Sequence, residues 1–185
     1  MDGSTNLESQ TPINLTPIAW GAKVSPAFRD KVRDISQRLG IDPSHLMACM
    51  AFESGHTFSP NKQNAAGSGA CGLIQFMPQT AQALGTTTKA LAAMTPVQQL
   101  DYVYLYFKPL TNKLHTLSDL YMAILWPRAV GKPDDYVLFD RNDPRSPKLY
   151  IQNAGLDYNK DGKITKAEAA SKVALALKMG SVYAA

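Results

Sequence analysis

Apolar residues recur at helical spacing along most of this 185-residue chain. Ser25-Pro26 opens the first such run. Its Phe28, Val32, Ile35 and Leu39 fall on one face and Gly40 stops it. Asp42-Pro43 opens the second, which carries Leu46, Met47, Cys49, Met50, Ala51 and Phe52 up to Glu53, with Gly55 as its stop. Further helices are predicted over Pro78 to Leu84, Thr87 to Met94, Thr95-Pro96 to Phe107 and Ser118 to Trp126, and a last one from Thr165 to Lys178. The proline- and charge-rich stretch from Pro127 to Pro147 reads as irregular surface structure, which leaves the apolar region from Ala65 to Phe76 as the place for strands. An α-dominated α+β fold with one small β-hairpin is expected. Residues 1 to 22, rich in Thr, Asn, Ser and Pro, read as a flexible tail with Trp20 as its first packed residue, and residues 23 to 185 as one domain.

The chemistry concentrates at the end of the second helix. Leu46, Cys49, Met50 and Glu53 share a stripe, so the carboxylate lies on an apolar face. Desolvation and the negative end of the helix dipole both disfavour its ionised form and should raise its pKa, as a glycosidic general acid needs. The bland alternative is a glutamate that bends out to solvent. Behind it come Phe58-Ser59-Pro60, Gly69-Ala70-Cys71-Gly72-Leu73-Ile74-Gln75-Phe76-Met77-Pro78 and Thr80-Ala81. Together with Glu53-Ser54 these residues resemble the soluble lytic transglycosylase family, specifically over residues 42 to 84 and more loosely out to about residue 140. The resemblance implies a lysozyme-like fold of the goose-type lysozyme and lytic transglycosylase kind, acting on peptidoglycan. It implies that Glu53 is the single catalytic acid, that Ser54, Gln75 and Met77 contact the glycan, and that the MurNAc-GlcNAc bond is cleaved with formation of 1,6-anhydro-MurNAc.

The chain departs from the family at three places. The gap between Glu53 and Gly72 is a few residues longer than is usual, the groove serine would land on Ala66 unless Ser68 replaces it, and the expected Ala-Tyr-Asn motif is replaced by Leu120-Tyr121-Met122-Ala123-Ile124-Leu125-Trp126-Pro127. The tyrosine that would hydrogen-bond the acid is then Tyr121 in first place and Tyr104 in second, with ordinary core packing the competing reading for each. This variant pattern looks most like phage-borne murein-degrading enzymes. Residues 54 to 100 contain no Asp or Glu, which disfavours a two-carboxylate mechanism within this stretch; Asp101, Asp119 and Asp134 are left for the fold to bring in or not.

A second motif lies near the C-terminus. Asp157, Asn159, Asp161, Lys163 through its carbonyl, Thr165 and Glu168 occupy the ligand positions of a twelve-residue EF-hand loop, with Gly162 at the sharp turn and Ile164 directed inward. One structural Ca2+ and no organic cofactor are expected, the competing reading being a polar loop that binds no metal. His45, His56 and His115 show no metal spacing with one another or with the cysteines. Cys49 and Cys71 read as two separate buried thiols rather than a pair under the site.

A net charge of +4 and a pI near 9.0 suit an anionic cell wall, and the scattered Lys and Arg argue against nucleic acid. No apolar run is long enough to span a membrane. Met1-Asp2-Gly3-Ser4-Thr5 has no basic start and no apolar stretch of the signal-peptide kind. The expectation is a chain made in the cytoplasm that acts in the periplasm or wall, either after release at lysis or within a virion, with the N-terminal tail as the contact to other virion or tail proteins. Two rival readings stand beside the transglycosylase: a hydrolytic muramidase, and a non-catalytic structural virion protein on the same fold.

Overall fold

The computed structural model describes residues 16–145 and 147–185. Eight α-helices are found among them: α1 (Pro26–Leu39), α2 (Pro43–Glu53), α3 (Pro78–Ala83), α4 (Thr88–Ala92), α5 (Pro96–Phe107), α6 (Leu117–Leu125), α7 (Pro147–Asn153) and α8 (Lys166–Ser181). Two short strands, β1 (Val137–Asp140) and β2 (Lys163–Thr165), form an antiparallel pair. The helix starts follow local capping chemistry. The Ser25, Thr87 and Thr116 hydroxyls accept the N–H three residues on, the Asp42 carboxylate accepts that of Ser44, and Thr95 with Gln98 and Thr165 with Glu168 form capping boxes.

Helix α2 is the centre of the molecule. It packs against α1, α6 and α8, and every side chain from Leu46 to Ala51 is fully buried. The one-sided stripe expected from its sequence is therefore too narrow. A helix enclosed on three sides has no solvent face to keep polar.

The chain is drawn together at its ends. The Trp20 indole donates to the Ala176 carbonyl of α8, and the Ile18 N–H donates to the Ala185 carbonyl. Trp20 is buried as expected, but the packed chain already begins at Ile18, and most of the expected tail lies outside the described residues.

The sheet is not where the sequence placed it. Residues 65–76 contain only isolated bridges, Gln63 with Cys71 and Cys71 with Phe76, because left-handed backbone at Gly67, Gly69, Gly72 and Gln75 turns the segment too often for a strand. The strand pair instead comes from the stretch expected to be irregular. Phe139 pairs with Ile164 and Asp140 with Lys163, and a bulge after Val137 turns Leu138 and Phe139 into the core. Beside this pair, Lys166 and Asp119 make a buried ion pair at 2.6 Å; the Lys132 carbonyl also accepts from Lys166, and the Gly131 N–H donates to Asp119. Burial alone would push the Asp119 carboxyl up, but these donors hold it below the usual carboxylate range.

The turn-rich segment over 60–76 is held by one buried side chain. Gln99 on α5 accepts from the Leu73 N–H at 2.8 Å and donates to the carbonyls of Pro60 and Leu91, each at 2.9 Å. Gly72, at φ +86°, lies so close to this amide that any Cβ there would collide with it. Gln99→Leu leaves those three backbone groups without a partner. At about 1–3 kcal/mol for each buried group, a loss of about 3 kcal/mol or more is expected, or roughly 10 °C in Tm by calorimetry. A shift under about 2 °C would show that the segment is held by other contacts.

Candidate active site

Glu53 is the last residue of α2, and the chain behind it reverses sharply. Gly55, His56 and Phe58 all have positive φ. Ser54 holds this turn: its hydroxyl accepts from the Phe58 N–H at 2.9 Å, and its carbonyl accepts from the Thr57 hydroxyl at 2.8 Å. Ser54 is 0% exposed. The expectation that it contacts substrate is therefore corrected to a supporting role behind the acid.

The Glu53 carboxyl forms no hydrogen bond and no ion pair among the described residues. The residue is half-buried rather than sealed off, and desolvation of its carboxyl end raises its pKa from 4.5 to about 7. Its charge in turn acts on Cys49, Tyr106 and Tyr121, whose pKa values are raised first by burial and then by Glu53. No other carboxylate contributes to the shift of Glu53. Asp101 is paired with Lys31 at 2.8 Å and Asp119 with Lys166.

The tyrosines sort by their partners. Tyr104 stacks on the Arg38 guanidinium at 3.9 Å, away from the acid. Tyr106, one of the aromatics of α5 that the sequence offers for sugar stacking or for core, lies beside Glu53, but its hydroxyl donates to the Ala123 carbonyl at 2.5 Å. Tyr121 is 4% exposed and meets Phe52 edge to face at 5.7 Å. Its hydroxyl has no hydrogen-bond partner among the described residues, so of these three tyrosines it is the one whose O–H is free for Glu53. The signal for Tyr106 lay in α5 itself, where it stands next to the core stripe of Leu100, Val103 and Phe107.

Across the turn, the Gln75 side chain donates to the carbonyls of Lys62 and Gly72, at 3.0 and 3.1 Å, which leaves its amide oxygen uncommitted. Lys62 runs beside Gly55, its ammonium 3.7 Å from where a Cβ of that glycine would stand. Met77 caps α3 and is 47% exposed. Cys49 and Cys71 are free and buried; the Cys71 thiol lies between the Gln63 amide and the Pro60 carbonyl.

The C-terminal loop is built from mixed oxygen donors. Asp157 is 8% exposed; one carboxylate oxygen accepts from the Tyr150 hydroxyl at 2.6 Å and the Gly162 N–H at 3.0 Å, while the other is buried without a partner. The Tyr150 hydroxyl holds this carboxyl below the usual range. Glu168 repeats the pattern: Oε2 accepts from the Thr165 N–H and hydroxyl, and Oε1 is buried without a partner. Asn159 and Asp161 are exposed and bonded to each other and to the loop backbone. His, Cys, Asp and Glu side chains do not gather in threes as a metal cluster among the described residues.

The end of helix α2 thus holds a lone carboxyl of raised pKa, and beside it a tyrosine whose hydroxyl makes no hydrogen bond among the described residues. The family model of the transglycosylase SLT domain matches residues 30–125, just over half of the chain, and the protein belongs to that family, whose members act on peptidoglycan as transglycosylases. Among curated proteins nothing matches. The match ends with α6 and leaves the strand pair, the oxygen-rich loop and α8 outside it. No helix of the described residues is long and apolar enough to cross a membrane.

The displaced pKa makes a stability statement. Below pH 4.5 Glu53 is protonated in both states and has no effect. As pH rises to 7 the unfolded chain gives up this proton first, so ionisation opposes folding. Above about pH 7 the folded chain bears the full penalty of roughly 3 kcal/mol, at about 1.4 kcal/mol per pKa unit. Glu53→Gln should therefore melt higher than wild type at pH 8, with the gain gone at pH 4. Equal Tm values at both pH values would place the carboxylate in water.

Proposed function

We propose that Glu53 is the catalytic acid and base of a peptidoglycan lytic transglycosylase that cleaves the MurNAc-GlcNAc bond and leaves a 1,6-anhydro-MurNAc end. The observation that carries this reading is the solitary carboxyl with its pKa raised to about 7. Near neutrality such a group is half protonated, so it can give a proton and then take one back without a second carboxylate. Protonated Glu53 donates to the glycosidic oxygen as the bond breaks through an oxocarbenium-like state. The resulting carboxylate removes the proton of the MurNAc C6 hydroxyl, whose oxygen closes on C1.

The Tyr121 hydroxyl, which makes no hydrogen bond among the described residues, would orient the carboxyl once the glycan is bound. Gln75 offers its free amide oxygen, and exposed Met77 offers apolar surface to the sugar ring. The hydrolytic muramidase differs only in using water where the C6 hydroxyl attacks. The departure over Leu120 to Pro127 from the expected Ala-Tyr-Asn pattern supports a phage-borne murein-degrading role, acting after release at lysis or within a virion.

Glu53→Gln should reduce lysis of purified walls by about two to four orders of magnitude while the fold is kept, since the amide cannot donate the proton. Turbidity loss within about tenfold of wild type would reject the assignment. Mass spectrometry of the released muropeptides should show anhydro ends; borohydride-reducible MurNAc as the main end would select the muramidase.

Tyr121→Phe should lower kcat with little change in Tm. Tyr106→Phe, which loses its bond to the Ala123 carbonyl, should lower Tm by roughly 2–4 °C, for about 1 kcal/mol, and leave kcat nearly unchanged. The reverse pattern would exchange the two roles.

A further inference from the structure

We infer that residues 157–168 bind one calcium ion, with β1 serving as the partner strand that a second EF-hand ordinarily supplies. The inference is independent of the reaction at Glu53. Its basis is the pair of carboxylate oxygens at the two ends of the loop. Asp157 Oδ1, on a side chain more than nine-tenths buried, and Glu168 Oε1 are both shut from water and without a full hydrogen bond, the Asp157 carboxylate being only faced by the N–H groups of Lys160 and Asp161.

An anionic oxygen buried without a donor is costly, and two of them at the first and twelfth positions of one loop call for a cation. The nearby guanidinium of Arg141 passes over Gly162 without donating to either carboxylate. The remaining donors are all hard oxygens: Asn159 and Asp161 side chains, the Lys163 carbonyl and the Thr165 hydroxyl. That set, closed by a carboxylate able to bind through both oxygens, suits calcium better than the smaller octahedral magnesium.

The neighbours of the loop say what the ion would fasten. Tyr150 ties Asp157 to α7. Strand β2, formed within the loop, pairs with β1, and Ile164 is fully buried against Phe139. Lys166, just past the strand, holds α6 through Asp119. A calcium ion here joins α7, β1 and α8, all beyond the SLT match, to one another and to α6. Because its carboxylates are not gathered into a cluster before the ion arrives, the loop should bind with a Kd on the order of 10⁻⁴ M, in the range of extracellular modules.

The test uses the full chain and reads the metal directly. Terbium added to the calcium-free protein and excited through tyrosine should luminesce with saturation at one ion per chain, since Tyr150 touches the Asp157 carboxylate and Tyr158 is in the loop. Calcium should displace it, and equal magnesium should not. At calcium about a hundred times Kd, Tm should exceed that in EDTA by roughly 5–10 °C.

Glu168→Gln should lose both signals. Because Glu168 also caps α8, Asn159→Ala is the companion variant. Its side chain is exposed, so its Tm in EDTA should stay near wild type while calcium affinity falls by about tenfold or more. Absence of sensitised terbium emission together with a calcium-independent Tm in wild type would overturn the site. So would a full calcium response in both variants.

Discussion

The structure turns on the desolvation of one carboxyl group. Helix α2 is fully buried from Leu46 to Ala51, and Glu53 at its end is half-buried, close enough to Cys49, Tyr106 and Tyr121 to act on their titration. Burial without a compensating donor is what raises its pKa, and the same lack of a donor leaves its proton available. A strong ion pair at Glu53 would have held the group ionised. The nearby carboxylates are paired elsewhere: Asp101 with Lys31 and Asp119 with Lys166.

The support around Glu53 is polar but does not touch it. Ser54 locks the turn behind the carboxyl, Gln99 pins the glycine-rich segment opposite, and Tyr106 ties α5 to the end of α6. Each satisfies backbone groups that irregular chain would otherwise leave orphaned. In this way a segment with almost no regular structure, residues 54–77, is positioned by side chains from regular elements. The segment keeps its shape without a sheet.

What could be read from the sequence follows from the range of the interactions involved. Helix starts such as Asp42-Pro43 and Thr95-Pro96 were legible because caps are local, and the position of Glu53 at the end of α2 was legible because it ends an apolar run. Tyr106 and the role of Ser54 were not, since both depend on which face of an element meets another across the core. The strand pair was misplaced for the same reason. Val137-Leu138-Phe139 is a short apolar run among prolines and charges, and it becomes a strand only because β2, well downstream, presents Ile164 to it. The segment over 65–76 looked like a hairpin by composition, but its left-handed residues commit it to turns.

The C-terminal third joins the site through a different kind of contact. Where α6 meets α8, the link is an ion pair almost wholly removed from water, and such a pair contributes little net stability compared with apolar packing of the same volume. What it supplies is direction. Lys166 can satisfy Asp119 and the Lys132 carbonyl together only when α8 starts at one place against α6, and that start is set by the loop and strand just before it. Asp119 lies two residues ahead of Tyr121 on the same helix. The placement of the tyrosine beside Glu53 is thus referred to a segment beyond the SLT domain match, which gives the strand pair and the oxygen-rich loop a reason to be built against this domain rather than hung from it.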